Sequence, residues 1–147
     1  MSLEKDINQP TFRNNYQKAT INIVYTCNWL QQQVKTILQP QGITPQQFNI
    51  LRILRGQSPL STLQIRERML DKMSDTSRLV ERLIKKGLLV KKSCKMDKRL
   101  VDVTITESGL ALLASLDAAT NNLDNLIASL TPTEALELNR LLDKARG

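Results

Sequence analysis

The chain has 147 residues, 41% apolar and 24% charged, with 21 Lys and Arg against 14 Asp and Glu and no histidine. That is the balance of one globular domain with a buried core rather than of a disordered chain. The missing histidine excludes Ser-His-Asp and Cys-His catalysis, His-ligated zinc and an imidazole pH switch; two cysteines, Cys27 and Cys94, cannot build a disulfide framework or a four-Cys metal site and suit a reducing, cytoplasmic compartment.

No apolar run approaches the roughly 18 residues of a membrane span, and the N-terminus lacks a signal-peptide pattern. Met1, Ser2 and Leu3 match an expression-vector remnant as well as a native start and are set aside. Residues 12–39 are expected to form a long helix, with Ile23, Cys27, Leu30, Val34 and Ile37/Leu38 on one apolar stripe, ended by Pro40 and Gly42. Thr44-Pro45-Gln46-Gln47 is a helix start: Thr44 caps, Pro45 fills the first position and Gln47 bonds back. That helix runs to about Arg55, and Gly56 stops it.

Ser61-Thr62-Leu63-Gln64 offers a second capping box and a short helix to about Met69. The next helix starts near Met73–Asp75 and runs to Lys86 on an apolar face of Leu79, Val80, Leu83 and Ile84; Gly87 follows as a left-handed end. Residues 88–93 and 100–105 are β-rich and frame a polar tip, Cys94 to Arg99, which reads as a β-hairpin. Thr106 caps a long helix to about Ser129 carrying Leu110, Leu113, Leu116, Leu123, Leu126 and Ile127. Thr131-Pro132-Thr133-Glu134 is a third capping box and opens the last helix, with Leu136, Leu138, Leu141 and Leu142.

Charge is concentrated along this order. Residues 1–51 carry +2, residues 52–99 carry fourteen cations against five acids, and residues 100–147 carry −4. A basic middle third is the footprint of a polyanion-binding face. A short helix, a turn, a second helix and a hairpin in that stretch describe a winged helix-turn-helix. Its second helix begins with Ser74, Thr76, Ser77 and Arg78, whose hydroxyls and guanidinium suit base edges and phosphates, and Arg82 follows one turn on. Lys95, Lys98 and Arg99 stand where a wing would meet phosphates or a narrow minor groove. Lys85 and Lys86, farther along, suit solvent or flanking phosphates, and only one of Lys91 and Lys92 can face DNA from an alternating strand.

Three stretches resemble the MarR family of bacterial transcription regulators: Ile43-Thr44-Pro45-Gln46-Gln47-Phe48-Asn49-Ile50-Leu51, the run from Ser77 to Leu89, and Asp97-Lys98-Arg99 leading to Val103-Thr104-Ile105-Thr106-Glu107-Ser108-Gly109. The likeness spans residues 12–145. It implies one subunit over 1–147, mainly α with one β-hairpin. A winged-helix DNA-binding lobe at 44–105 would sit between dimerisation helices at 12–39 and 107–146. It implies a homodimeric repressor on double-stranded DNA, the recognition helix in the major groove, and the wing Arg of an Asp-x-Arg motif, here Asp97 and Arg99, in the minor groove. Effector pockets in the family put Tyr25 and Trp29 forward as lining for a small aromatic ligand, although helix packing explains that pair as well.

Asp75 departs from the family's usual Ser or Thr; it caps the recognition helix or accepts from a cytosine amino group, the cap being favoured. Cys27 lies on the apolar stripe and is expected in the core, while Cys94 beside Lys92 and Lys95 is an exposed thiol; a thiol-based redox sensor is the alternative both leave open. A winged helix that docks an acidic protein partner is the rival from another class. No acid/base pair, phosphate loop or carboxylate cluster points to an enzyme, and no cofactor or metal is expected.

Overall fold

The computed structural model describes residues 1–93, 96–97 and 101–147. Ten elements follow in order: α1 (Leu3–Asp6), α2 (Asn15–Leu38), α3 (Pro45–Gly56), β1 (Leu60–Ser61), α4 (Thr62–Arg68), α5 (Thr76–Lys85), β2 (Leu89–Ser93), β3 (Val101–Ile105), α6 (Glu107–Asn121) and α7 (Pro132–Arg146). The 3-10 segments at Gln39–Gln41 and Asn122–Ile127, three and six residues long, follow α2 and α6. The strands make one antiparallel sheet in the order β1-β3-β2. No helix among the described residues is long and apolar enough to cross a membrane.

All three expected capping boxes form. Gln47 N donates to Thr44 Oγ1 at 3.2 Å while Thr44 N donates to Gln47 Oε1 at 3.1 Å. Ser61 and Gln64 exchange the same pair at the start of α4, and Thr131 and Glu134 at the start of α7. Each box satisfies two of the donors that a helix start leaves open.

The core lies where α3, α5, α6 and the sheet converge. Ile50, Leu51 and Leu54 of α3, Leu83 of α5 and Leu113 of α6 are fully buried, and each such side chain contributes roughly 1.5–3 kcal/mol relative to exposure. Gly109 sits inside the first turn of α6. A Cβ there would lie 2.5 Å from the Leu88 carbonyl oxygen and 2.6 Å from Ile105, so glycine is what lets α6 press onto the sheet.

The end of α5 is held firmly. Gly87, at φ +74°, donates to Ile84 O at 2.9 Å, and Leu88 N donates to Leu83 O at 3.0 Å, the two bonds of a Schellman end. Thr106 Oγ1 then donates to Gly87 O at 2.7 Å and accepts from Gly109 N at 3.1 Å, while Thr106 N donates to Leu88 O at 3.1 Å. One threonine therefore caps α6 and fastens it to the end of α5.

Four expectations need correction. The sheet has a third strand, β1, in which Leu60 pairs with Val103; two residues are too few for a visible alternation. The helix after Thr106 stops at Asn121 rather than Ser129, where Asn121 and Asn122 carry side chains that compete for backbone hydrogen bonds. The α2 stripe is core only at its C-terminal end: Leu38 is buried and Val34 and Ile37 pack beside it, whereas Ile23 is 48% exposed and Cys27 is exposed. A 24-residue helix is roughly 36 Å long and extends past this subunit's core. Finally, Leu3 is buried, and Glu4 pairs with Lys18 of α2, so the set-aside start is an integrated part of the fold.

Candidate nucleic-acid interface

The connection from α4 to α5 runs from Met69 to Asp75 and is built from its own polar groups. Asn49 of α3 accepts from Leu70 N at 3.0 Å and pins the turn to the core. Asp71 accepts from Met73 N at 3.0 Å through its side chain, and its carbonyl accepts from Ser74 Oγ at 2.8 Å. Asp75 is the N-cap of α5, its carboxylate accepting from Arg78 N at 3.2 Å. The favoured role of Asp75 is therefore the one it has, and Ser74 is half-buried in the turn.

From this start α5 is sharply two-sided. Val80 and Leu83 enter the core, and so does Thr76, which is 0% exposed with its hydroxyl unpartnered among the described residues. This corrects the expectation that Thr76 contacts DNA: it lies four residues before Val80 and seven before Leu83, on the same inward stripe. The opposite arc presents Ser77, Arg78, Glu81, Arg82 and Lys85, all exposed. Arg78 pairs with neither Asp75 nor Glu81 through its side chain, because Asp75 is engaged by the backbone and Glu81 by Lys91 of β2. Among the described residues the guanidinium groups of Arg78 and Arg82 and the ammonium of Lys85 have no ion-pair partner. Arg78 and Arg82 line a shallow concavity of about 280 Å³ with Ser74 and with Thr44 and Gln46 from the start of α3.

β2 and β3 leave the end of α5 as a hairpin in which Lys91 opposes Val103 and Lys92 opposes Asp102. Lys91 turns to α5 through its bond to Glu81, while Lys92 is exposed. At the tip, Met96 is exposed and Asp97 half-buried. Lys95, Lys98 and Arg99, proposed as wing contacts, lie outside the described residues, as do Cys94 and Leu100. Asn49 and Glu81 shape this candidate interface although composition did not single them out, and Lys91, weighed against Lys92 as a DNA-facing residue, is instead the partner of Glu81. The one available signal was a polar Asn49 within the apolar run of α3.

The aromatic pair of α2 is not brought together at one site. Tyr25 lines a second shallow concavity of about 280 Å³ with Ile7, Thr20, Ile21, Val24 and Asn28, without Trp29. All of those residues belong to α2 or the segment after α1, so Tyr25 and Trp29 do not line this concavity together.

Comparison with known proteins agrees with this geometry. The model of the MarR family matches residues 41–100, from the approach to α3 to the residue before β3. The HTH-type transcriptional repressor MdtR of Bacillus subtilis is 30% identical over 80 residues, 54% of this chain, and the match spans about half of that relative's length, 52%. The HTH-type transcriptional regulator MhqR of the same organism is 29% identical over 111 residues, 73% of this chain and 74% of the relative. Among solved structures, BpsR of Bordetella bronchiseptica, described for regulation of its DNA binding by 6-hydroxynicotinic acid, superposes with a TM-score of 0.81 at 21% identity, covering 92% of this chain and 97% of that one.

Proposed function

Since the chain belongs to the MarR family of transcription regulators, we propose that it binds a pseudo-palindromic operator as a homodimeric repressor and is released by a small aromatic effector. The observation that carries this is the outer arc of α5, where Arg78, Arg82 and Lys85 stand exposed beside the hairpin and, among the described residues, without ion-pair partners. Ser77 and Arg78 of that arc read base edges and adjoining phosphates. Arg82 neutralises phosphates, and the wing residues Lys95, Asp97, Lys98 and Arg99 meet phosphates or the minor groove, Arg99 of the Asp-x-Arg motif entering the minor groove. Two such arcs related by a two-fold axis meet half-sites about one DNA turn, roughly 34 Å, apart. The dimer is supported by apolar side chains that a lone subunit leaves in water: Val24, Tyr25 and Trp29 on α2 and Leu136, Leu138 and Leu141 on α7. Regulation by a small molecule is supported by the ligand described for BpsR, with Tyr25 as the candidate aromatic contact.

The test is selection of bound duplexes from a random library, followed by affinity measured against salt. The logarithm of the binding constant is expected to fall with the logarithm of salt by about 0.9 per neutralised phosphate. Arg78→Ala and Arg99→Ala are each expected to weaken binding by about 1–3 kcal/mol with thermal unfolding unchanged. A flat salt response, or full affinity in Arg78→Ala, overturns the proposal.

A further inference from the structure

We propose that Glu81, held by Lys91, is a specificity-determining residue that selects cytosine in each half-site. This rests on α5 entering a major groove as proposed above. Glu81 is the one acid in α5 and lies on its exposed arc, among Ser77, Arg78, Arg82 and Lys85. Two cations of its own helix stand at ion-pairing distance along the chain, Arg78 three residues before and Lys85 four after, the second in the favoured order. The carboxylate is instead taken by Lys91, reaching over from β2. This draws the acid to one side of the arc and leaves the helix cations unpaired among the described residues. It also pairs the negative charge before any phosphate approaches, so the acid does not cancel the attraction that the arc exerts on DNA.

The chemistry of the groove then decides what such a carboxylate can meet. It accepts hydrogen bonds and donates none. Guanine offers N7 and O6 and thymine offers O4, all acceptors that repel it. Adenine offers its N6 amino group next to the acceptor N7. Cytosine alone offers an amino group, N4, with no acceptor beside it on that edge. A carboxylate on the groove-facing arc therefore favours cytosine and disfavours the other three bases. Lys91, seated between helix and hairpin, orients it.

The test uses the full chain in three parallel selections from a random duplex library: wild type, Glu81→Gln and Lys91→Ala. The wild type is expected to enrich one C·G pair per half-site that Glu81→Gln no longer prefers, a loss of about tenfold in relative preference at that position. Glutamine both donates and accepts, so the variant is expected to turn towards adenine there, while all other positions keep their preferences. In Lys91→Ala the same C·G preference is expected to weaken without being replaced. An unchanged motif in Glu81→Gln, or binding that tightens equally for every sequence, overturns the inference and leaves Glu81 as a brace between helix and hairpin. If the wild type enriches no motif, the DNA-binding proposal itself fails; if a motif appears and survives Glu81→Gln, only the present inference fails. Glu81 is exposed, so matched thermal unfolding is the control for folding.

Discussion

Thr76 and Ser77 are neighbours of similar chemistry with opposite roles. The hydroxyl of Thr76 is shut in the core without a partner among the described residues, whereas Ser77 stands on the outer arc. Composition draws attention to both, because hydroxyls suit a DNA-reading helix. Periodicity separates them, since Thr76, Val80 and Leu83 recur at four and three. A buried hydroxyl without a partner costs about 1–3 kcal/mol, and valine fills nearly the same volume without it. Thr76→Val is therefore expected to raise the thermal unfolding midpoint while leaving operator affinity as it was; a loss of affinity with intact stability would return Thr76 to the interface. Asp75 is the opposite case, an atypical residue whose place at the N-cap follows from elementary helix chemistry.

At the scale of elements, the start signals were the most legible part of the chain. Thr44/Gln47, Ser61/Gln64 and Thr131/Glu134 each close a local hydrogen-bonded ring, and nothing distant is needed to form it. What was not legible depends on partners far along the chain. Two residues become β1 because β3 offers an edge to them, and α2 keeps an apolar stripe beyond the reach of its own core. The candidate interface divides the same way: the outer arc of α5 follows from helical spacing, but the engagement of Glu81 by Lys91 needs the hairpin folded over the helix. The α7 cap also makes a pH test available. The backbone N–H of Thr131, and then its hydroxyl, hold the Glu134 carboxyl below its ordinary range. A depressed value in the folded state means the cap contributes fully above the unfolded-chain value and is lost as pH falls through the folded one. Glu134→Gln keeps the box without a titrating group. The stability of wild type relative to this variant is therefore expected to decline between neutral pH and about pH 3, read from unfolding midpoints. A constant difference would show that this proton is not linked to folding.

On the scale of the whole molecule, the two ends of the chain share a deficit. Leu136 is 70% exposed and Leu141 48% on α7, and Ile23, Val24 and Trp29 are exposed on α2. In the proposed dimer, a second copy across a two-fold axis would cover both faces at once. Replacing Leu136 and Leu141 together by Asp is expected to yield folded monomers in sedimentation at micromolar concentration. Operator affinity should fall steeply with them, since each half-site then binds alone. A double variant that still sediments as a dimer would move the interface elsewhere.

The knot at Thr106 has a mechanical consequence for such a pair. Its hydroxyl and amide donate to Gly87 and Leu88, just past the end of α5, while the hydroxyl accepts from Gly109 in the first turn of α6, and Gly109 leaves no gap between them. Arg55 of α3 grips Asp117 farther along α6 through two contacts at 2.9 and 3.1 Å. A tilt of α6 has little slack to absorb it on the way to α5, so in the proposed dimer each protomer would work as a stiff lever whose fulcrum is the two-fold axis and whose tip is the outer arc of α5.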